Sequence, residues 1–228
     1  MKKNILIIAA HPDDDILGCG GFIAKYNTKT NIRVIFIAEG SSCRFTDLNK
    51  NLNKIQKTIE TRNNYAKDAL KVLGVKQVSF YNLPCGRLDS TPIIEINKII
   101  ENELNNFKPH TVITHSEDDT NNDHRIVYRS TLMATRPGAF KNLKTLLSFE
   151  VLSSTEWNFS KSFLPNHFES ISFAQLNLKW QALECFKSEI GKYPHPRSEE
   201  GLKTLAQYRG MQSGLKYAEA FKIIRNFK

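Results

Sequence analysis

A chain of 228 residues with 40% hydrophobic content holds enough apolar material for one α/β core. No apolar run approaches the length that crosses a bilayer, so no membrane span is expected. The formal charge of +9 is Lys-rich and spread along the chain. It reads as solvated helix faces, or more sharply as attraction for an anionic substrate. Without a helix-turn-helix, zinc-finger or aromatic RNA-binding pattern, it does not point to a nucleic-acid partner.

The first element is an apolar strand over Asn4–Ala9. Its basic start resembles a signal peptide, but the run is too short and His11-Pro12-Asp13 follows at once. Further strands are expected at Arg33–Ala38, Gln77–Tyr81, Thr111–Thr114, Leu146–Val151 and Phe168–Phe173. Helical patterns fall between them: Ile16–Tyr26, Asn49–Leu73 with Gly74 as its stop, Pro92–Asn106 and Asp123–Ala134. Phe173–Glu189, Ser198–Gln212 and Tyr217–Asn226 complete the helices. The alternation predicts a mainly parallel sheet with helices on both faces, in one domain over residues 1–228. Loops 39–48, 83–91, 115–122 and 190–198 are polar. Three of them follow strands, where open α/β sheets bind ligands. Cys19, Cys43, Cys85 and Cys185 show no Cys-x-x-Cys spacing and read as reduced packing thiols, which favours the cytoplasm.

His11, Asp13, Asp14 and Asp15 stand directly after the first strand. One or two of these carboxylates suit a helix N-terminus. Helix capping does not account for His11-Pro12, whereas a divalent cation would account for the histidine together with the carboxylates. A further ligand must come from elsewhere. His124, opening a helix after the fourth strand beside Asp123, is the best candidate, with Asp123 placed to orient an imidazole.

The string Ala10-His11-Pro12-Asp13-Asp14-Asp15-Ile16-Leu17-Gly18-Cys19-Gly20-Gly21 resembles the signature of the PIG-L/LmbE-like zinc-dependent deacetylases. Asn121-Asn122-Asp123-His124 is similar to that family's His-x-Asp-His motif. Ala38–Arg44, Arg62 and Leu73-Gly74-Val75 extend the resemblance. Ser153–Trp157 and His195–Ser198 look like a sugar-locus branch of the family. The resemblance implies a Rossmann-like fold and removal of an acyl group from an N-acylated amino sugar or conjugate. It implies His11, Asp14 and His124 as ligands of Zn2+, with Fe2+ as another divalent choice, and Asp13 as general base. The sequence departs from the pattern at Asp15, where Glu is usual, and at Asn121, where the family's oxyanion histidine stands. Asn121 is expected to keep the donor role with His195 as a protonated partner, unless His115 takes it over.

Arg44, Arg62 and Arg197 are candidate substrate contacts, with an exposed helix charge as the alternative for Arg62. Arg87 and Asp89 read as a loop ion pair, and Trp157 and Trp180 as packing residues, with stacking on a sugar face as the alternative for Trp157. The expected partner is a small N-acyl amino sugar; nucleotide-linked, lipid-linked and simple forms all stay open, as does a homo-oligomer. Two rival readings remain. One is another metal-dependent amidase or esterase. The other is a nucleotide-binding Rossmann domain, suggested by Gly18-Cys19-Gly20-Gly21 but lacking Gly-x-Gly-x-x-Gly.

Overall fold

The computed structural model describes residues 2–227. Strands β1 (Asn4–Ala9), β2 (Asn31–Ala38), β3 (Gln77–Leu83), β4 (Thr111–Thr114), β5 (Thr145–Phe149), β6 (His167–Ser170) and β7 (Ala218–Asn226) form one sheet of order β3-β2-β1-β4-β5-β7-β6. The first five run parallel, and β7 pairs antiparallel with both β5 and β6. The helices are α1 (Asp14–Tyr26), α2 (Leu52–Val72), α3 (Ile93–Phe107), α4 (Asn122–Ala134), α5 (Phe173–Glu184) and α6 (Glu199–Ser213).

The continuous apolar run of β1 is explained by burial on both faces. Ile5, Ile7 and Ala9 pack with α1, α2 and α5, whereas Leu6 and Ile8 pack with α3 and α4. The expected mainly parallel α/β sheet with helices on both faces is what forms. The order reverses at β1, which has β2 on one side and β4 on the other. Such a switch point opens a crevice at the carboxyl ends of the strands. The parallel register Ile7↔Ile113 brings the segments after β1 and β4 side by side.

One expected helix is a strand. Tyr217–Asn226 supplies β7 instead, with Ala218 to Phe221 buried between β5 and β6. Its Ala, Glu and Lys residues favour helix locally, and pairing on both edges overrides that preference. Helix α5 also stops at Glu184, short of the expected Glu189. The chain then turns and carries Glu189 toward the crevice.

The glycines in α1 meet a packing need. A Cβ on Gly18 would strike the Phe149 ring, one on Gly20 would lie 2.9 Å from Lys179 Cγ, and one on Gly21 would lie 2.9 Å from Ile171 Cδ1. Gly18-Cys19-Gly20-Gly21 is thus buried inside a helix and forms no open phosphate-binding turn. This removes the feature that suggested a dinucleotide site.

Candidate metal centre and active site

The end of β1 and the start of α1 hold His11, Asp13 and Asp14, all buried. Asp14 Oδ2 accepts the His11 backbone N–H at 2.8 Å. The same oxygen lies 3.3 Å from His11 Nδ1 and 3.2 Å from His124 Nε2, and those two nitrogens are 3.3 Å apart. His124 arrives from the first turn of α4, whose N-cap is Asn121; its Oδ1 accepts the Asp123 N–H at 2.9 Å.

Each imidazole is held from behind. His11 Nε2 is 2.9 Å from Asp123 Oδ2, and His124 Nδ1 is 3.0 Å from Asp119 Oδ2. Asp123 is itself fixed by the N–H groups of Gly86 (2.6 Å) and Leu88 (3.2 Å). Asp119 accepts hydroxyl bonds from Ser154 and, at 2.6 Å, from Thr155. Burial pushes Asp119 up, but His124 and the two hydroxyls outweigh it and hold the carboxyl at about 2. Burial likewise opposes a charged His124, yet Asp14 and Asp119 raise it to about 10.

The donor set fits a divalent cation. With a carboxylate oxygen within 3.0 Å of the rear nitrogen of each ring, His11 Nδ1 and His124 Nε2 both lie close to one Asp14 oxygen. Carboxylate-backed histidines of this kind are the usual supports of a metal ligand. Among the described residues, His11, Asp14 and His124 form one of three groups with ligand atoms within 4.8 Å of one another; the others are His11–Cys85–Asp123 and His115–Asp119–His124. His115 is a poorer candidate. Its Nε2 already accepts the Ala10 N–H at 2.7 Å, and burial, with charge on His124, drives it down to about 3.

Asp13 is not part of this trio. It occupies the left-handed region with φ 111°, makes no capping bond, and sends its carboxylate toward two guanidiniums. Such backbone geometry in a non-glycine residue costs about 1–3 kcal/mol and clusters at functional sites. Asp13 Oδ2 accepts from Arg197 at 2.8 Å and from Arg62 at 3.0 Å. Burial raises the carboxyl above its ordinary range, and these two cations oppose the rise. Asp15 is buried with no partner for either oxygen, and burial, aided by Asp13, pushes it up to about 8.

The three candidate arginines converge, though not on open space. Arg62 is buried and joins Asp13 to Glu189, which it meets at 2.8 Å; it is no exposed helix charge. Arg44 binds both oxygens of Glu189 while its side chain stays 47% exposed. Arg197 spans Asp13, Ser153 and Glu189. His195 does not join them: it is exposed, and its Nδ1 accepts the Arg197 N–H at 3.1 Å. Arg197, rather than His195, is the residue that loop delivers to Asp13. Arg87 and Asp89 form no ion pair with each other among the described residues, and Arg87 Nη1 is buried without a partner.

Sequence reasoning missed Asp119 and Glu189. Asp119 stands in an acidic run before His124, a weak signal; Glu189 carries none. It also missed a sulfur pair: Cys43 and Cys85, from the loops after β2 and β3, lie 3.3 Å apart.

A sheet with this switch point, and a buried His–Asp–His group that could hold a metal ion at the carboxyl ends of its strands, defines an α/β protein with a candidate metal site in its crevice. The chain belongs to the PIG-L family, described as GlcNAc-PI de-N-acetylase, which matches residues 6–135. An uncharacterized deacetylase, YaiS, of Escherichia coli is 30% identical over 82% of this chain and 92% of its own. A diacetylchitobiose deacetylase of Thermococcus kodakarensis is 25% identical over 97% of this chain and 83% of its own. Among solved structures, the N,N'-diacetylchitobiose deacetylase of Pyrococcus horikoshii superposes with TM-score 0.77 at 19% identity, covering 98% of this chain and 84% of that one. GalB, a 4-carboxy-2-hydroxymuconate hydratase of Pseudomonas putida, shares the fold with TM-score 0.73 at 20% identity over 97% of this chain and 96% of that one.

Proposed function

We propose that this protein is a metal-dependent N-deacetylase acting on an N-acetylated amino sugar or sugar conjugate. The observation that carries the reading is the convergence of His11 Nδ1 and His124 Nε2 on Asp14 Oδ2, with the Asp13 carboxylate buried beside them but outside the trio. His11, Asp14 and His124 would hold Zn2+ or Fe2+, which supplies Lewis-acid polarisation of the amide carbonyl and a more acidic bound water.

The chain's own residues do the rest. Asp13, raised by burial, takes the proton of the attacking water and returns it to the departing amine nitrogen. The C–N bond breaks as the new C–O bond is secured, giving acetate and a free amino sugar. Arg62 and Arg197 aim the Asp13 carboxylate and limit how far its basicity rises. Asn121 spends its Oδ1 on capping α4, and its amide N–H groups serve as donors to the carbonyl oxygen as charge builds there. Arg44, with its exposed guanidinium, is the arginine we assign to the sugar or to an anionic group attached to it. Four free cysteines suit a cytoplasmic setting.

The deciding experiment screens N-acetylglucosamine, diacetylchitobiose and N-acetyl sugar nucleotides for acetate release. Acetate and free amine should appear in equal amounts, vanish with a chelator and return with Zn2+ or Fe2+. Because a hydratase shares the fold, acetate release is the discriminating readout. A metal-reconstituted protein that releases no acetate from any of these would overturn the reading.

A further inference from the structure

We propose that Cys43 and Cys85 are a redox-modification site, closing to a disulfide under peroxide and loosening the support of His11. The two sulfurs come from separate loops and touch at 3.3 Å. The loops are already tied together. Glu39, at the end of β2, accepts the N–H of Ser42 at 2.9 Å and, through its other oxygen, that of Cys85 at 2.9 Å. Cys43 Cβ lies only 3.1 Å from where a Cβ on Gly86 would stand. The pair is asymmetric, as a sensor needs: Cys43 is exposed and Cys85 is buried. Peroxide reaches the exposed Cys43 sulfur, which lies next to Arg44 in the chain, before the buried Cys85, so Cys43 is the attacking thiol. Cys19 and Cys185 act as internal controls, since neither has a sulfur neighbour among the described residues and burial raises both.

The chemistry balances with hydrogen peroxide as oxidant. The Cys43 thiolate attacks one peroxide oxygen, the O–O bond breaks, and hydroxide leaves with a proton as water. The Cys85 sulfur then displaces the hydroxyl from the Cys43 sulfenic acid, forming S–S and a second water. Two thiols are oxidised by two electrons and one peroxide is reduced. Closing from 3.3 Å to about 2.05 Å brings the two sulfurs more than an ångström nearer, a change that side-chain rotation shares with the loops carrying them. The residue after Cys85 is Gly86, whose N–H holds Asp123 at 2.6 Å, and Asp123 holds His11 at 2.9 Å. The residue after Cys43 is Arg44, bound to Glu189. The disulfide therefore pulls on both the histidine support and the arginine cluster.

The inhibition rests on the deacetylase reading; the cross-link does not. Metal-loaded protein is treated with dilute hydrogen peroxide, quenched with catalase and mapped without reduction. The expected result is one peptide cross-linked through Cys43 and Cys85, loss of two of the four thiols, and full reversal by dithiothreitol. Oxidised protein should also release its metal faster to a chelator and deacetylate at least about tenfold more slowly. Cys43→Ser should match the reduced enzyme and resist peroxide. Sulfinic acid at Cys43 without a cross-link, or a cross-link that leaves metal release and rate unchanged, would overturn the proposal. If reduced protein releases no acetate, the proposed function fails, while peptide mapping still decides the cross-link.

Discussion

Asp13 carries the largest load of any single residue: strained backbone, burial and two arginine contacts. Asp13→Asn keeps the shape and removes the proton acceptor. It should retain stoichiometric metal while kcat falls by about 10²–10⁴-fold, measured as acetate release beside metal content. Asp123→Asn acts on the other side of the site. It weakens the partner of His11 Nε2, and metal affinity should drop about 10–100-fold in a chelator competition, with a smaller change in kcat at saturating metal. That His11 and the carboxylates beside it share one cluster with His124 was legible because their types and positions after two strands are unusual, whereas the choice of Asp14 among those carboxylates came from the family resemblance. Asp119 was not, because its bond to His124 depends on how the segment after β4 doubles back. Glu189 was hidden for a simpler reason: an acidic residue beyond a helix looks like solvated surface until three arginines are seen to meet it.

Helix α1 is built around close approach, which its glycines make legible only in retrospect. Gly18→Ala pushes a methyl into the Phe149 ring and should destabilise the fold by about 1–3 kcal/mol, read as a lower denaturant midpoint with unchanged slope. Strand β7 shows the opposite failure of sequence reading, since its composition favours helix while its neighbours impose a strand. Its Glu219 explains why the strand matters to α1. The carboxylate accepts the N–H of Gly21 at 2.9 Å and of Phe22 at 2.6 Å, beside the non-helical Cys19 (φ −147°), and pairs with buried Lys179 at 2.6 Å. β6 is fastened to the far end of α1 in a similar way. Burial pushes Glu169 up, but His167, Lys25 and Tyr26 outweigh it and hold the carboxyl at about 2, against an ordinary 4.5. That stability is fully present above pH 4.5 and is lost as pH falls toward 2. Glu169→Gln should therefore flatten the acid limb of the stability curve in that window, measured by denaturation at stepped pH.

At the scale of the molecule, the parallel core and the place of the crevice follow from strand order, which alternating patterns reveal well. The antiparallel edge was less legible, because β6 is short and β7 is paired by contacts from distant parts of the chain. The proposed metal would tie the scales together. The trio joins the ends of β1 and β4, so a chelated protein should unfold at lower temperature than the loaded one. Its midpoint should recover with added Zn2+ in a concentration-dependent way, followed by scanning calorimetry.

Arg62 lies within residues 6–135 and Arg197 lies beyond them, yet both grip the same Asp13 oxygen. The carboxylate proposed to handle the proton is thus held from two stretches of chain, one inside the family match and one beyond it. A substitution at Arg197 alone would change the charge around Asp13 while His11, Asp14 and His124 stay untouched. On the proposed reading, the acidity at which the reaction runs is open to change from the chain beyond residue 135, without any change in the segments that hold His11, Asp14 and His124.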